Sequence, residues 1–225
     1  MKDENLKKGL SLAFLISLLC AILFVVLALS IRRDWIVSFD RTIIGEVQGW
    51  ETAGLTRFME ALSWIGTTKV VITLIVVIML FLYFVLGHRR ELIFFVWVCL
   101  GAYLLNVLIK SLFKRERPDL HRIVEEVGYS FPSGHSMVSF ALYGSLAYLL
   151  WRHVSSKGGR SVLLVINGLI IAGIGLSRIY LGVHYPSDVL GGYIASGCWL
   201  TLAIWLGGRW IKGGRTSSQD ISSRQ

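Results

Sequence analysis

The sequence predicts an all-α, polytopic integral membrane protein, with six transmembrane helices and an amphipathic interfacial helix between the first and the second. Three observations carry this. Charged residues make up only 16% of the chain, against about a quarter in soluble domains. Hydrophobic residues make up 54%, and the mean hydropathy is +0.64. The apolar residues also fall in unbroken runs, each about long enough to cross a hydrocarbon core of ~30 Å. At 225 residues the chain is expected to form one membrane-embedded domain, 1–225, with its six-span core over 10–207.

The first run, 10–31, follows Lys7-Lys8. Ala28-Leu29-Ser30 resembles a small-residue cleavage site, but the run is longer than a secretory signal core and is kept as a span. Residues 32–68 are mixed. Within them Leu55, Phe58, Met59, Leu62 and Ile65 recur at helical spacing, with Arg57 and Glu60 opposite, so an amphipathic helix at the membrane interface is expected. Trp35, Trp50 and Trp64 suit that depth. The remaining spans are 70–87, 92–109, 136–151, 161–180 and 189–207. Residues 208–225 are rich in Gly, Ser and Arg and are expected to be a disordered tail.

The net charge of +9 does not point to nucleic acid, because the basic residues lie in short caps between apolar runs and no nucleic-acid motif is visible. Cys20, Cys99 and Cys198 sit in three different runs without metal-ligand spacing and read as packing residues. Six spans put both termini on one side. That side collects twelve of the 23 basic residues, including Arg89, Arg90, Arg152 and Arg224. The other side keeps eight once Lys110, Arg117 and Arg178 are set aside as site residues. The bias makes the termini cytoplasmic and the segments 32–68, 110–135 and 180–188 extracytoplasmic.

Three segments that alternation places at one face carry the chemistry. In the first, Lys110 precedes Arg117-Pro118 by seven residues, two turns if the helix continues, with Pro118 as its stop. The second, Pro132-Ser133-Gly134-His135, opens the fourth span; its glycine admits close approach and its free N–H groups favour an anion. The third holds Ser177-Arg178, then His184 and, one turn on, Asp188. A phosphoryl group carries charge on three oxygens, so fixed cations and N–H donors must surround it. Lys110, Arg117 and Arg178 supply the cations. His184 backed by Asp188 fits attack on phosphorus, and His135 fits protonation of the departing oxygen. No metal or cofactor is expected, since the cations do the charge work. Asn106 is read as a hydrogen bond between helices; Glu116, Asp119, Glu125 and Glu126 as a solvated loop face, with a substrate-gating role as the alternative; His88, His121 and His153 as uninvolved.

Taken together, these segments resemble the three-part signature of the type 2 phosphatidic acid phosphatase superfamily, at every signature position and in order. Phe39-Asp40 also resembles that family's membrane members. The resemblance implies a metal-independent lipid phosphatase working through a phosphohistidine. His184 would be the nucleophile, Asp188 its partner and His135 the acid, with Lys110, Arg117, Ser133, Gly134 and Arg178 binding phosphate. The expected partner is a lipid phosphate or pyrophosphate, undecaprenyl pyrophosphate or phosphatidylglycerophosphate. A lipid phosphotransferase shares the first half-reaction, and a lipid or anion transporter is the alternative from another class.

Overall fold

The computed structural model describes residues 2–85, 89–119, 121–151 and 153–222, and the side chains of these except 2–6, 85 and 208–222. The described residues form helices and no strand. They are α1 (Lys2–Ser30), α2 (Asp34–Gln48), α3 (Ala53–Ile65), α4 (Thr68–Leu80) running into a π-helical turn (Phe81–Val85), α5 (Arg89–Phe113), α6 (Gly134–Trp151), α7 (Lys157–Tyr180) and α8 (Pro186–Ser222).

Local signals start and stop them. The Thr52 hydroxyl accepts from the Leu55 N–H at 3.2 Å ahead of α3, and the Ser156 hydroxyl accepts from the Gly159 N–H at 3.1 Å ahead of α7. Pro186 opens α8, where its missing N–H costs nothing. Just past α7, Gly182 adopts φ +74°, and a Cβ there would meet the His121 carbonyl.

Four helical stretches among the described residues are long and apolar enough to cross a membrane: Lys7–Ser30, Arg89–Phe113, Lys157–Tyr180 and Pro186–Gly207. The pair α3 and α4, bent by 51° at its junction, adds a fifth if taken as one broken span. The protein is therefore a multi-pass membrane protein of all-helical build. The run at 136–151 is α6, whose apolar stretch is interrupted by the buried Ser136, Ser139 and Ser145. It lies inside the bundle, against α5, α7 and α8, and the serine hydroxyls are absorbed by neighbouring groups, as in Ser139 to the Ser136 carbonyl at 3.2 Å.

Two apolar clusters divide the bundle. One joins α4, α5, α6 and α8 through Val71, Phe94, Phe95, Val98, Ala102, Leu142 and Ala203. The other sits under the loops that carry the charged residues, and joins α2, α3, α7 and the start of α8 through Ile44, Met59, Tyr180, Val183 and Val189. α1 packs along α8, fastened where the Ser17 hydroxyl donates to the Cys198 carbonyl at 3.0 Å.

Some expectations need adjusting. Within 32–68 there are two helices; α2 is additional and buries Ile36, Asp40, Ile44 and Val47. α3 turns Met59 and Ser63 inward, while Phe58 faces out at 57% exposure. Gly87, Arg152 and Arg224, used in the spans or the charge comparison, and His88, read as uninvolved, lie outside the described residues, as do the side chains of the 208–225 tail.

Candidate active site

α5 does not continue to Arg117. It ends at Phe113, and Lys114 takes a left-handed φ of 47°, which turns the chain out of the helix three residues before Arg117. The helical-face pairing of Lys110 with Arg117 therefore does not hold. The two cations reach the same place by different routes. Lys110, in the last turn of α5, donates to the Tyr129 carbonyl at 2.7 Å. Arg117 lies in the irregular segment beyond and folds back, donating to the carbonyls of Gly128 (3.0 Å), Val127 (3.1 Å) and Val183 (2.9 Å). Its Nη1 also lies 3.2 Å from His184 Nε2.

The second segment packs its turn against the start of α8. The Ser133 N–H donates to the Asp188 carbonyl at 3.0 Å, and the Ser136 hydroxyl lies 3.0 Å from Ser133 Oγ. This close approach needs Gly192, where a Cβ would stand 2.9 Å from the Ser133 carbonyl oxygen. Ser133 is fully buried and does not line the cavity described below. Gly134 does, beside Asn106, whose amide donates to the Pro132 carbonyl at 3.2 Å and so holds the turn. The His135 ring packs against Gly66, where a Cβ would stand 3.0 Å from it, and its Nε2 is buried without a hydrogen-bond partner among the described residues.

The third segment leaves α7 at Tyr180 and re-enters a helix at Pro186, so His184 sits in the turn between. The i, i+4 pairing survives nonetheless, with His184 Nδ1 3.4 Å from Asp188 Oδ2. Because Arg117 can only donate, Nε2 takes the acceptor role and the network assigns the proton to Nδ1; the Nε2 lone pair accepts from Arg117 and becomes available to a reacting atom when the guanidinium turns to another acceptor. Asp188 is fully buried and also accepts the Tyr185 N–H at 2.9 Å. Arg178 donates to Ser63 Oγ at 2.5 Å.

These parts converge. Lys110, Gly134, His135 and His184 line one cavity of about 540 Å³, together with Asn106 and Glu126. Its remaining wall is largely apolar, built from Val71, Ile72 and Ile75 of α4, Val96, Leu100 and Tyr103 of α5 and Val138 of α6. A cationic end facing an apolar trough matches an amphiphile with an anionic head. Burial holds His184 well below the ordinary imidazole range, reinforced by the positive charges of Arg178, Arg117, Lys110 and His135. Its neutral, nucleophilic form is thereby favoured.

Two contacts around the site go beyond the spacing of the sequence motifs. Glu126 is not simply a solvated loop residue: its carboxylate pairs with the Arg178 guanidinium and lies 3.7 Å from Arg117. Arg115 donates to Asp188 Oδ1 at 2.7 Å, so the carboxylate behind His184 has a cation behind it as well. Arg115 carries no motif spacing of its own, and only its pairing across 73 positions reveals the contact. Among the described residues no group of three or more His, Cys, Asp or Glu side chains is arranged to hold a metal ion.

Comparison with known proteins agrees with this architecture. The family model described as the PAP2 superfamily matches residues 91–212. Phosphatidylglycerophosphatase B of Bacillus subtilis is 34% identical over 174 residues, 76% of this chain and 84% of that one. The Escherichia coli protein named putative undecaprenyl-diphosphatase YbjG is 35% identical over 132 residues, 53% of this chain and 60% of that one. The crystal structure of a transmembrane PAP2-type phosphatidylglycerolphosphate phosphatase from Bacillus subtilis superposes with a TM-score of 0.79 at 29% identity, covering 86% of this chain and 96% of that one.

Proposed function

The chain belongs to the PAP2 superfamily, and from that premise we propose that it is a membrane lipid phosphatase that cleaves a phosphomonoester or diphosphate through a phosphohistidine, without a metal. The observation that carries this reading is the shared cavity: His184 and His135 stand on its wall with Lys110, and the rest of it is largely apolar.

In the proposed reaction the lipid phosphate enters with its head among Lys110, Arg117 and Arg178 and the N–H groups at the start of α6, its tail along α4 and α5. His184 Nε2 attacks phosphorus. The P–N bond forms as the P–O bond to the lipid breaks, and His135 gives its proton to the departing oxygen. Asp188 steadies the imidazolium that results. A water molecule, deprotonated by His135, then attacks the phosphohistidine; inorganic phosphate leaves and both histidines return to their starting states. Ser133, buried behind the turn, acts here by holding the start of α6 to α8.

Six spans, with α6 inside the bundle and α3 at the interface, put both termini in the cytoplasm and this site at the extracytoplasmic face. That side suits undecaprenyl pyrophosphate, and the Escherichia coli relative bears a name of that kind; the Bacillus subtilis relative is named for phosphatidylglycerophosphate. Both substrates satisfy the same cavity. Purified protein in lipid bilayers, offered a panel of lipid monophosphates and pyrophosphates, is expected to release phosphate, and His184→Ala to abolish the release. Undiminished release by His184→Ala overturns the assignment.

A further inference from the structure

α2 contributes a buried carboxylate to the site from outside the region that matches the family. Asp40 is 1% exposed. Its Oδ1 accepts the Ser187 N–H at 2.8 Å in the first turn of α8. Its Oδ2 accepts the Ser187 hydroxyl at 2.6 Å and Arg115 Nη2 at 2.8 Å. The other arm of the Arg115 fork, Nη1, donates to Asp188 Oδ1 at 2.7 Å and to Ser187 Oγ at 2.8 Å. The guanidinium also lies over the Tyr185 ring, 4.0 Å from its centre. Asp188 Oδ1 is thus occupied by Arg115, which leaves Oδ2 to the Tyr185 N–H and His184 Nδ1.

We propose that Asp40 is a positioning residue for the nucleophile, the outer end of a relay of alternating charge, Asp40–Arg115–Asp188–His184. It rests on the reading of His184 as nucleophile. The physical reason is charge balance in a buried place. A cation bonded to Asp188 alone would neutralise it and weaken its grip on the imidazole proton. With Asp40 on its second arm, Arg115 divides its charge between two carboxylates, and the trio keeps one net negative charge facing His184. That charge is worth most when the phosphohistidine forms and the ring becomes cationic. The fork geometry adds an orientational part, since two parallel arms fix where Nη1 points and which Asp188 oxygen stays free.

Asp40 touches neither the cavity nor the reacting atoms, so its effect is expected in rate and not in lipid binding. Asp40→Asn keeps the shape and most hydrogen bonds. It is expected to lower kcat about 10- to 100-fold, the usual cost of losing an outer orienting partner, with KM within about twofold and the thermal midpoint little changed. Arg115→Lys keeps the charge but cannot bridge two carboxylates, and is expected to do the same. The double variant should be no slower than the worse single one, because both act through one contact. Rapid mixing with an alkaline quench, which preserves a phosphoramidate, should show slower appearance of phosphoenzyme in each. An unchanged kcat for Asp40→Asn, losses that multiply in the double variant, or a loss explained by unfolded protein overturns the relay while wild type remains active. A wild type that releases no phosphate, or a His184→Ala variant that does, overturns the underlying reading and the relay with it.

Discussion

Glu126, which lines the cavity with Lys110 and His184, lays its carboxylate on the buried Arg178, the cation to which the proposed reaction assigns a phosphoryl oxygen. The residue is 29% exposed and stands on a loop segment, so it can swing away when a more highly charged anion arrives. Glu126→Gln is therefore expected to tighten competitive inhibition by inorganic phosphate by about two- to tenfold, the range for one partly exposed ion pair. Inhibition constants measured side by side decide it; a weaker constant in the variant would mean that Glu126 helps to hold substrate.

The depressed pKa of His184 gives stability a defined pH dependence. In the unfolded chain the imidazole takes a proton as pH falls through its ordinary value near 6.5, while in the folded protein burial and the surrounding cations resist this. The unfolded state then binds more protons, so the contribution is complete above that value and is lost as pH falls below it, by at most about 1.4 kcal/mol per pH unit. Thermal midpoints from pH 7.5 to 5 are expected to fall more steeply for wild type than for His184→Asn.

Leaving-group chemistry separates the substrates. A monoester releases an alkoxide that needs its proton, whereas a pyrophosphate releases a phosphate that needs it much less. His135→Ala is expected to lose more rate on a lipid monophosphate than on a lipid pyrophosphate, by at least about tenfold. Equal losses on the two would remove His135 from the role of acid.

Packing of α8 against the middle of α5 should matter to stability and little to chemistry. The Trp199 ring lies against the α5 backbone at Gly101, where any Cβ would collide with it, and its Nε1 donates to the Val98 carbonyl at 3.0 Å. Gly101→Ala is expected to cost about 1–3 kcal/mol, seen as a lower thermal midpoint in detergent. The ratio of monophosphate to pyrophosphate activity should stay as in wild type.

What the sequence made legible was the part with local grammar. Apolar runs mark the spans, and Pro132 to His135 and His184 to Asp188 each hold their spacing within a turn or two of chain. What stayed hidden needed contacts between distant positions. Asp40 meets Arg115 across 75 residues, and neither carries a local sign of the partnership. Arg117 reaches His184 by a path that helical spacing does not foresee, because Lys114 leaves the helix in a conformation that lysine seldom adopts. Glu126 sits in an acidic pair that reads as solvent-facing, and only the folded chain brings it the buried Arg178 and Arg117 as partners.

The apolar wall of the cavity reaches the outer surface of the bundle, since Ile72, Leu100 and Tyr103 line it and are each about half exposed. A trough open sideways admits whatever amphiphile surrounds the protein. Detergents with long alkyl tails should then act as rivals of the substrate, more strongly as the tail lengthens. Rates will follow the mole fraction of substrate within the micelle or bilayer, not its bulk molarity, and constants from different solubilising media will agree only on that scale.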